Sequence, residues 1–101
     1  MTKLTMKEAF DLSIKRWGIR SQLRMVAEEA SELSVASLHL DRDNRDWDES
    51  FERFAEEIAD VEFMLDEMKY YYTNVTDLHL VSKIASYRGI KMEKLRGRLD
   101  V

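Results

Sequence analysis

The sequence contains no cysteine and no proline, and its only glycines are Gly18, Gly89 and Gly97. Without cysteine there is neither a disulfide framework nor a thiolate metal site, and a reducing compartment, the cytoplasm, is the expected location. Without proline, and with so little glycine, the punctuation of a turn-rich β protein is missing, which leaves an all-helical composition. Apolar residues nowhere run for the roughly 20 positions that span a bilayer. No apolar run follows Lys3 and Lys7 as it would in a secretory signal. A soluble, unprocessed chain with no membrane partner is therefore expected.

The 101 residues and 45% hydrophobic content suit one domain covering 1–101. That is enough for a core but thin for an independent monomer, so a homodimer or homotetramer is expected. A formal net charge of -4 hides a strong asymmetry. Residues 28–67 carry fifteen acids against three arginines, a balance of -12, whereas 83–98 carry six bases against Glu93, a balance of +5. So acidic a middle argues against nucleic acid as a partner, because phosphate backbones are met by basic surfaces. It suits cations, or an anion that arrives with cations.

Thr5-Met6-Lys7-Glu8 is a capping-box sequence, and Phe10, Ile14 and Trp17 after it predict a first helix stopped near Gly18. A second helix is predicted from about Ile19 to Leu40, burying Leu23, Val26, Ala30, Leu33, Ser37 and Leu40, before a polar loop from Asp41 to Asp46. Asp46, with Glu49 three residues on, is a candidate cap for a third helix whose Phe51, Phe54, Ile58, Val61, Leu65, Met68 and Tyr72 keep a heptad rhythm. The rhythm breaks around Thr73-Asn74-Val75-Thr76, and a fourth helix carrying Leu80, Ile84, Tyr87, Ile90 and Leu95 continues to about Leu99. Four helices with short connections predict a four-helix bundle, one helix pair of which can pack across a dimer interface.

One motif stands out. Ala27-Glu28-Glu29-Ala30-Ser31-Glu32-Leu33 returns 28 positions later as Ala55-Glu56-Glu57-Ile58-Ala59-Asp60-Val61, every acid meeting an acid. Carboxylates three apart project to one side of a helix. On a wheel of about 100° per residue, Glu29 and Glu57 each sit at the edge of their helix's apolar stripe, with Glu32 and Asp60 about 60° further out. The two helices thus match in phase as well as in letters. The only base within a turn on that face is Arg53, four residues before Glu57, and one arginine cannot neutralise four acids. Mg²⁺ or Mn²⁺ relieves such repulsion, prefers hard oxygen ligands and keeps waters for substrate phosphates. A carboxylate-bridged di-iron site needs Glu-x-x-His pairs, and neither His39 nor His79 completes one. A single Glu-Glu-x-x-Glu is usually a solvated helix face; two copies in matched phase are what raise the metal reading beside it.

Glu28-Glu29-x-x-Glu32 followed, after 24 intervening residues, by Glu57-x-x-Asp60 resembles the motif of the MazG-type all-α nucleoside triphosphate pyrophosphohydrolases, over most of the chain. The segment from Trp17-Gly18 through Gln22 to Leu33 is similar to their small, single-domain, phage-type members. The resemblance implies an all-α NTP pyrophosphatase fold, Mg²⁺ held by Glu29, Glu32, Glu57 and Asp60, and Glu28 as auxiliary ligand or the group that orients or deprotonates the attacking water. Glu56 is its counterpart in the repeat. The implied reaction cuts an NTP or dNTP between the α and β phosphates, giving the monophosphate and pyrophosphate. Lys83, Tyr87 and Lys91, with Arg98 along the same face, match positions that hold phosphates in relatives, although bases near a helix C-terminus also complement the macrodipole. Trp17 matches a nucleobase-stacking position, with a core role as the alternative, and Gln22 is placed to hydrogen-bond a base edge or sugar. Trp47 and Tyr70 to Tyr72 read as bundle or interface residues.

Phosphoribosyl-ATP pyrophosphohydrolysis is the neighbouring activity. From another class, a non-catalytic helical dimer that binds a protein partner, its acids serving solubility, is the alternative.

Overall fold

The computed structural model describes residues 2–42 and 46–100. It contains four α-helices and, among the described residues, no strand: α1 (Met6–Trp17), α2 (Ile19–Asp41), α3 (Trp47–Tyr70) and α4 (Leu80–Leu99). None of the helices is long and apolar enough to cross a membrane among the described residues. Two compact units are present, residues 1–68 and 69–101.

In the first unit, local side-chain chemistry fixes the helix ends. Thr5 Oγ1 accepts from the Glu8 N–H at 3.1 Å, and Glu8 Oε1 accepts from the Thr5 N–H at 2.9 Å, forming the predicted capping box. Those bonds from Thr5 hold the Glu8 carboxyl below its ordinary value. Gly18 alone separates α1 from α2. Its φ of +84° lies where side-chain-bearing residues are strained, and its N–H closes α1 onto the Ile14 carbonyl at 2.8 Å. Asp46 Oδ1 accepts from the N–H groups of Asp48 and Glu49 at 3.0 and 3.4 Å, the predicted N-cap of α3. The loop expected from Asp41 to Asp46 is shorter, because Asp41 still belongs to α2; Asp43, Asn44 and Arg45 lie outside the described residues.

Side-chain pairs fix the direction of α3 against α2. Gln22 meets Glu67, Glu29 gathers with Glu57, and Ala36 shares a groove with Ser50, so partners on α3 run backward as α2 runs forward. The pair is antiparallel. The buried apolar residues are Phe10, Ala36 and Met68, with Phe10 edge-on to Phe63 at 5.4 Å between ring centres.

This interior corrects the expected phase of both helices. On α2 the buried residues are Gln22 and Ala36; Glu29 is half-buried, as are Val26, Leu33 and Leu40 of the expected stripe, whereas its Leu23, Ala30 and Ser37 are exposed. On α3 Ser50, Glu57, Glu67 and Met68 are buried; of the expected stripe Met68 is thus buried and Phe54, Ile58 and Val61 half-buried, while Phe51 and Leu65 are exposed. Glu29 and Glu57 therefore occupy the centre of their inward faces instead of the edge. Periodicity marks which residues share a face, and here part of each apolar stripe faces away from the neighbouring helix, where Trp47 and Phe51 also stack at 4.8 Å.

In the second unit the heptad rhythm of α3 ends in a π-helical turn, Tyr71–Val75, closed by the Thr76 N–H on the Tyr71 carbonyl at 2.9 Å. Tyr72 thus lies in this turn and not in the predicted third helix. Thr73 Oγ1 accepts from the Val81 N–H at 3.1 Å, satisfying a donor in the first turn of α4. Of the stripe predicted for α4, Leu80 and Ile84 are half-buried; Tyr87, Ile90 and Leu95 are exposed. Arg96 pairs with Glu93 one turn back.

Candidate metal centre

Glu29 and Glu32 sit on successive turns of α2, as Glu57 and Asp60 do on α3, and antiparallel packing brings the two pairs together. One carboxylate oxygen from each of Glu29, Glu32 and Glu57 lies within 4.8 Å of the others, and the same holds for Glu56, Glu57 and Asp60. Glu57 belongs to both groups. It is 2% exposed, the most enclosed acid of the set.

Charge compensation at this centre is incomplete. Arg53 Nε donates to Glu57 Oε1 at 2.9 Å, across one turn of α3. Glu57 Oε2 and Glu29 Oε2 are buried without a hydrogen-bond partner among the described residues. Buried carboxylate oxygens are normally satisfied, and here two in one cluster are not. The Glu29 carboxyl is pushed above its ordinary range, first by desolvation and then by the charges of Glu32, Asp60 and Glu57. All the donors are hard oxygens, and no cysteine or histidine belongs to either group. That donor set fits Mg²⁺ or Mn²⁺ and not a soft metal.

The remaining sequence-derived candidates belong to neither oxygen group. Glu28 is exposed on α2, about 100° round the helix from Glu29. Trp17 is 59% exposed at the end of α1, with the Arg16 guanidinium 5.8 Å from its ring centre. Lys83, Tyr87 and Lys91 share one face of α4 in the second unit, all exposed.

Gln22 is buried, about 10 Å along α2 from Glu29. Its surroundings fix the amide orientation: the nitrogen donates to Glu67 Oε1 at 2.7 Å and faces Ser13 Oγ at 3.2 Å. The side chain that resemblance assigns to a base or sugar is thus engaged with Ser13 and Glu67. This polar cluster ties α1, α2 and α3 together away from the carboxylates.

Burial raises the Glu67 carboxyl above its ordinary value of 4.5, partly offset by a hydrogen bond from Ser13. The folded chain therefore holds a proton that the unfolded chain has released, and stability falls as pH rises from 4.5 through the raised value. Glu67→Gln should remove this component. As pH rises above 4.5 through the raised value, the wild type should lose more stability than the variant, read from denaturant midpoints. Equal losses would mean that Glu67 ionises as freely as an exposed acid.

A groove of about 870 Å³ opens beside the centre, between the C-terminal half of α2 and the N-terminal half of α3. Glu32, Glu56 and Arg53 line it, together with His39 and Ser50, which sequence reasoning did not assign to a site. Their signal was available only as phase: Glu32, Ala36 and His39 recur at helical spacing, as do Asp46, Ser50 and Arg53.

Comparison with protein-family models, with curated proteins and with solved structures finds no match.

Proposed function

We propose that this chain is a divalent-cation-dependent nucleoside triphosphate pyrophosphohydrolase, cleaving NTP or dNTP between the α and β phosphates to the monophosphate and pyrophosphate. The observation that carries the reading is the gathered set Glu29, Glu32 and Glu57, with buried, unpartnered oxygens on two of them. The spacing Glu28-Glu29-x-x-Glu32 to Glu57-x-x-Asp60, similar to the MazG-type motif, selects this activity among those a carboxylate centre supports.

In this reading Glu29, Glu32, Glu57 and Asp60 hold Mg²⁺, for which Mn²⁺ substitutes. A bound ion there supplies Lewis acidity toward the phosphate oxygens and a water of lowered pKa. The chain's own part is placement. α2 and α3 hold their carboxylates across from one another, with Glu57 at 2% exposure as the enclosed ligand and Glu32 on the open side. Glu28, accessible from solvent, is the group assigned to orient the attacking water. An all-α NTP pyrophosphatase fold acting as a cytoplasmic homo-oligomer completes the proposal.

The test is pyrophosphate release from a panel of NTPs, dNTPs and phosphoribosyl-ATP with Mg²⁺, with Mn²⁺ and without metal. Release from at least one nucleotide, dependent on metal and abolished in Glu29→Ala, is expected. Absence of release from every member, or release that survives chelation, would defeat the proposal. Release from phosphoribosyl-ATP alone would assign the neighbouring activity.

A further inference from the structure

Arg53 both bonds to the carboxylate centre and lines the groove beside it. Its Nε donates to Glu57 Oε1 at 2.9 Å, while its side chain is 61% exposed against 3% for that of Glu57. The bond therefore spans the boundary between a buried centre and an open groove. Arginine carries five N–H donors in a planar fork, and only Nε is engaged among the described residues. The outer edge, both terminal nitrogens, has the geometry that takes a phosphate through two parallel bonds.

The lining of the groove restricts what enters it. Glu32, Asp46, Glu49, Glu52 and Glu56 surround it, and Arg53 is the only permanent cation among the described lining residues. A bare polyphosphate meets net repulsion there. A polyphosphate carrying divalent cations does not, because its charge is largely neutralised before it arrives. The volume of about 870 Å³ falls within the range of small-molecule sites.

Without a cation at the centre, Glu57 is a buried carboxylate whose one compensating partner among the described residues is Arg53. A divalent ion on the orphaned oxygens takes over that compensation and makes the guanidinium's charge redundant at Glu57. We propose that Arg53 serves two partners in turn: it neutralises Glu57 in the metal-free protein, and in the loaded protein it clamps the phosphate chain of a metal-bound nucleotide in the α2/α3 groove. This rests on the function proposed above and adds a phosphate-binding residue and subsite to it. Arg53 competes with the metal and cooperates with the phosphate, two effects of opposite sign on one side chain.

That opposition is the test. Arg53→Met keeps the length of the stem and removes every donor; Arg53→Lys keeps the charge without the fork. Mn²⁺ affinity without phosphate, and inorganic pyrophosphate affinity with and without Mn²⁺, are measured calorimetrically on wild type and both variants. Arg53→Met should bind Mn²⁺ alone as tightly as wild type or several-fold tighter, and bind pyrophosphate in the presence of Mn²⁺ roughly 10- to 100-fold more weakly. Arg53→Lys should fall between the two on the second measure. No protein should bind pyrophosphate measurably without Mn²⁺. Parallel losses of Mn²⁺ and pyrophosphate affinity would reduce Arg53 to a support for Glu57, and unchanged pyrophosphate affinity would remove the subsite; either outcome overturns the inference and leaves the proposed function standing. A wild type that binds no Mn²⁺ and releases no pyrophosphate removes both.

Discussion

Under the proposed function, Glu57→Gln is expected to lower pyrophosphate release on the order of a thousandfold or more, because several kcal/mol of transition-state charge stabilisation would disappear with the ion that Glu57 is proposed to hold. Glu57 is singled out from the other acids by position. It belongs to both oxygen groups, it lies at 2% exposure, and one of its oxygens lacks a partner. An amide at this place keeps the volume and offers an NH₂ where a carboxylate oxygen faced the ion, so coordination fails while packing survives. Arg53, mostly in solvent, is rehydrated when its partner loses its charge, which keeps the folded state within reach. The variant should retain the helical circular dichroism of the wild type, and a turnover loss below about tenfold would place the reacting phosphate elsewhere.

The second large effect is on stability. An ion that binds only the folded chain adds about 2.7 kcal/mol at a hundred times its dissociation constant. For a domain of this size each kcal/mol moves the midpoint by roughly 4 to 8 °C, so saturating Mn²⁺ should raise the Tm by about 10 to 20 °C. Chelation should reverse the rise. Glu57→Gln should show almost none of it, which separates binding at this centre from diffuse screening of the acidic middle of the chain. An equal rise in the variant would put the stabilising ion outside the groups around Glu57.

The sequence announced what lies within one or two turns of helix and little that lies across the fold. Thr5 with Glu8 and Asp46 with Glu49 are caps whose two halves are three residues apart, and both form as expected. The approach of Glu29 to Glu57 was legible because the repeat carries its own phase, so two faces could be compared before being brought together. The contact of Gln22 with Glu67 was not, since nothing near either residue names a partner 45 positions away. Nor was the inward side of α2. Leu23, Val26, Ala30 and Leu33 define a stripe, but which flank of a stripe is covered is a property of the assembled chain: Val26, Glu29 and Leu33 are half-buried, while Leu23 and Ala30 are exposed. The π-helical turn left only a loss of rhythm, because its wider hydrogen-bonded ring asks for no particular residue.

The antiparallel pair of α2 and α3 meets at two heights, where Gln22 bonds to Glu67 and where Glu29 lies beside Glu57. Both residues of α2 must face α3 at once, so the spacing between them matters apart from which residues fill it. One residue inserted or deleted between Gln22 and Glu29 turns one anchor by about 100° relative to the other, and only one of the two can then face α3. Exposed positions in that stretch tolerate exchange of side chains, whereas its length does not tolerate change. The spacing of α2 is a ruler, read against α3.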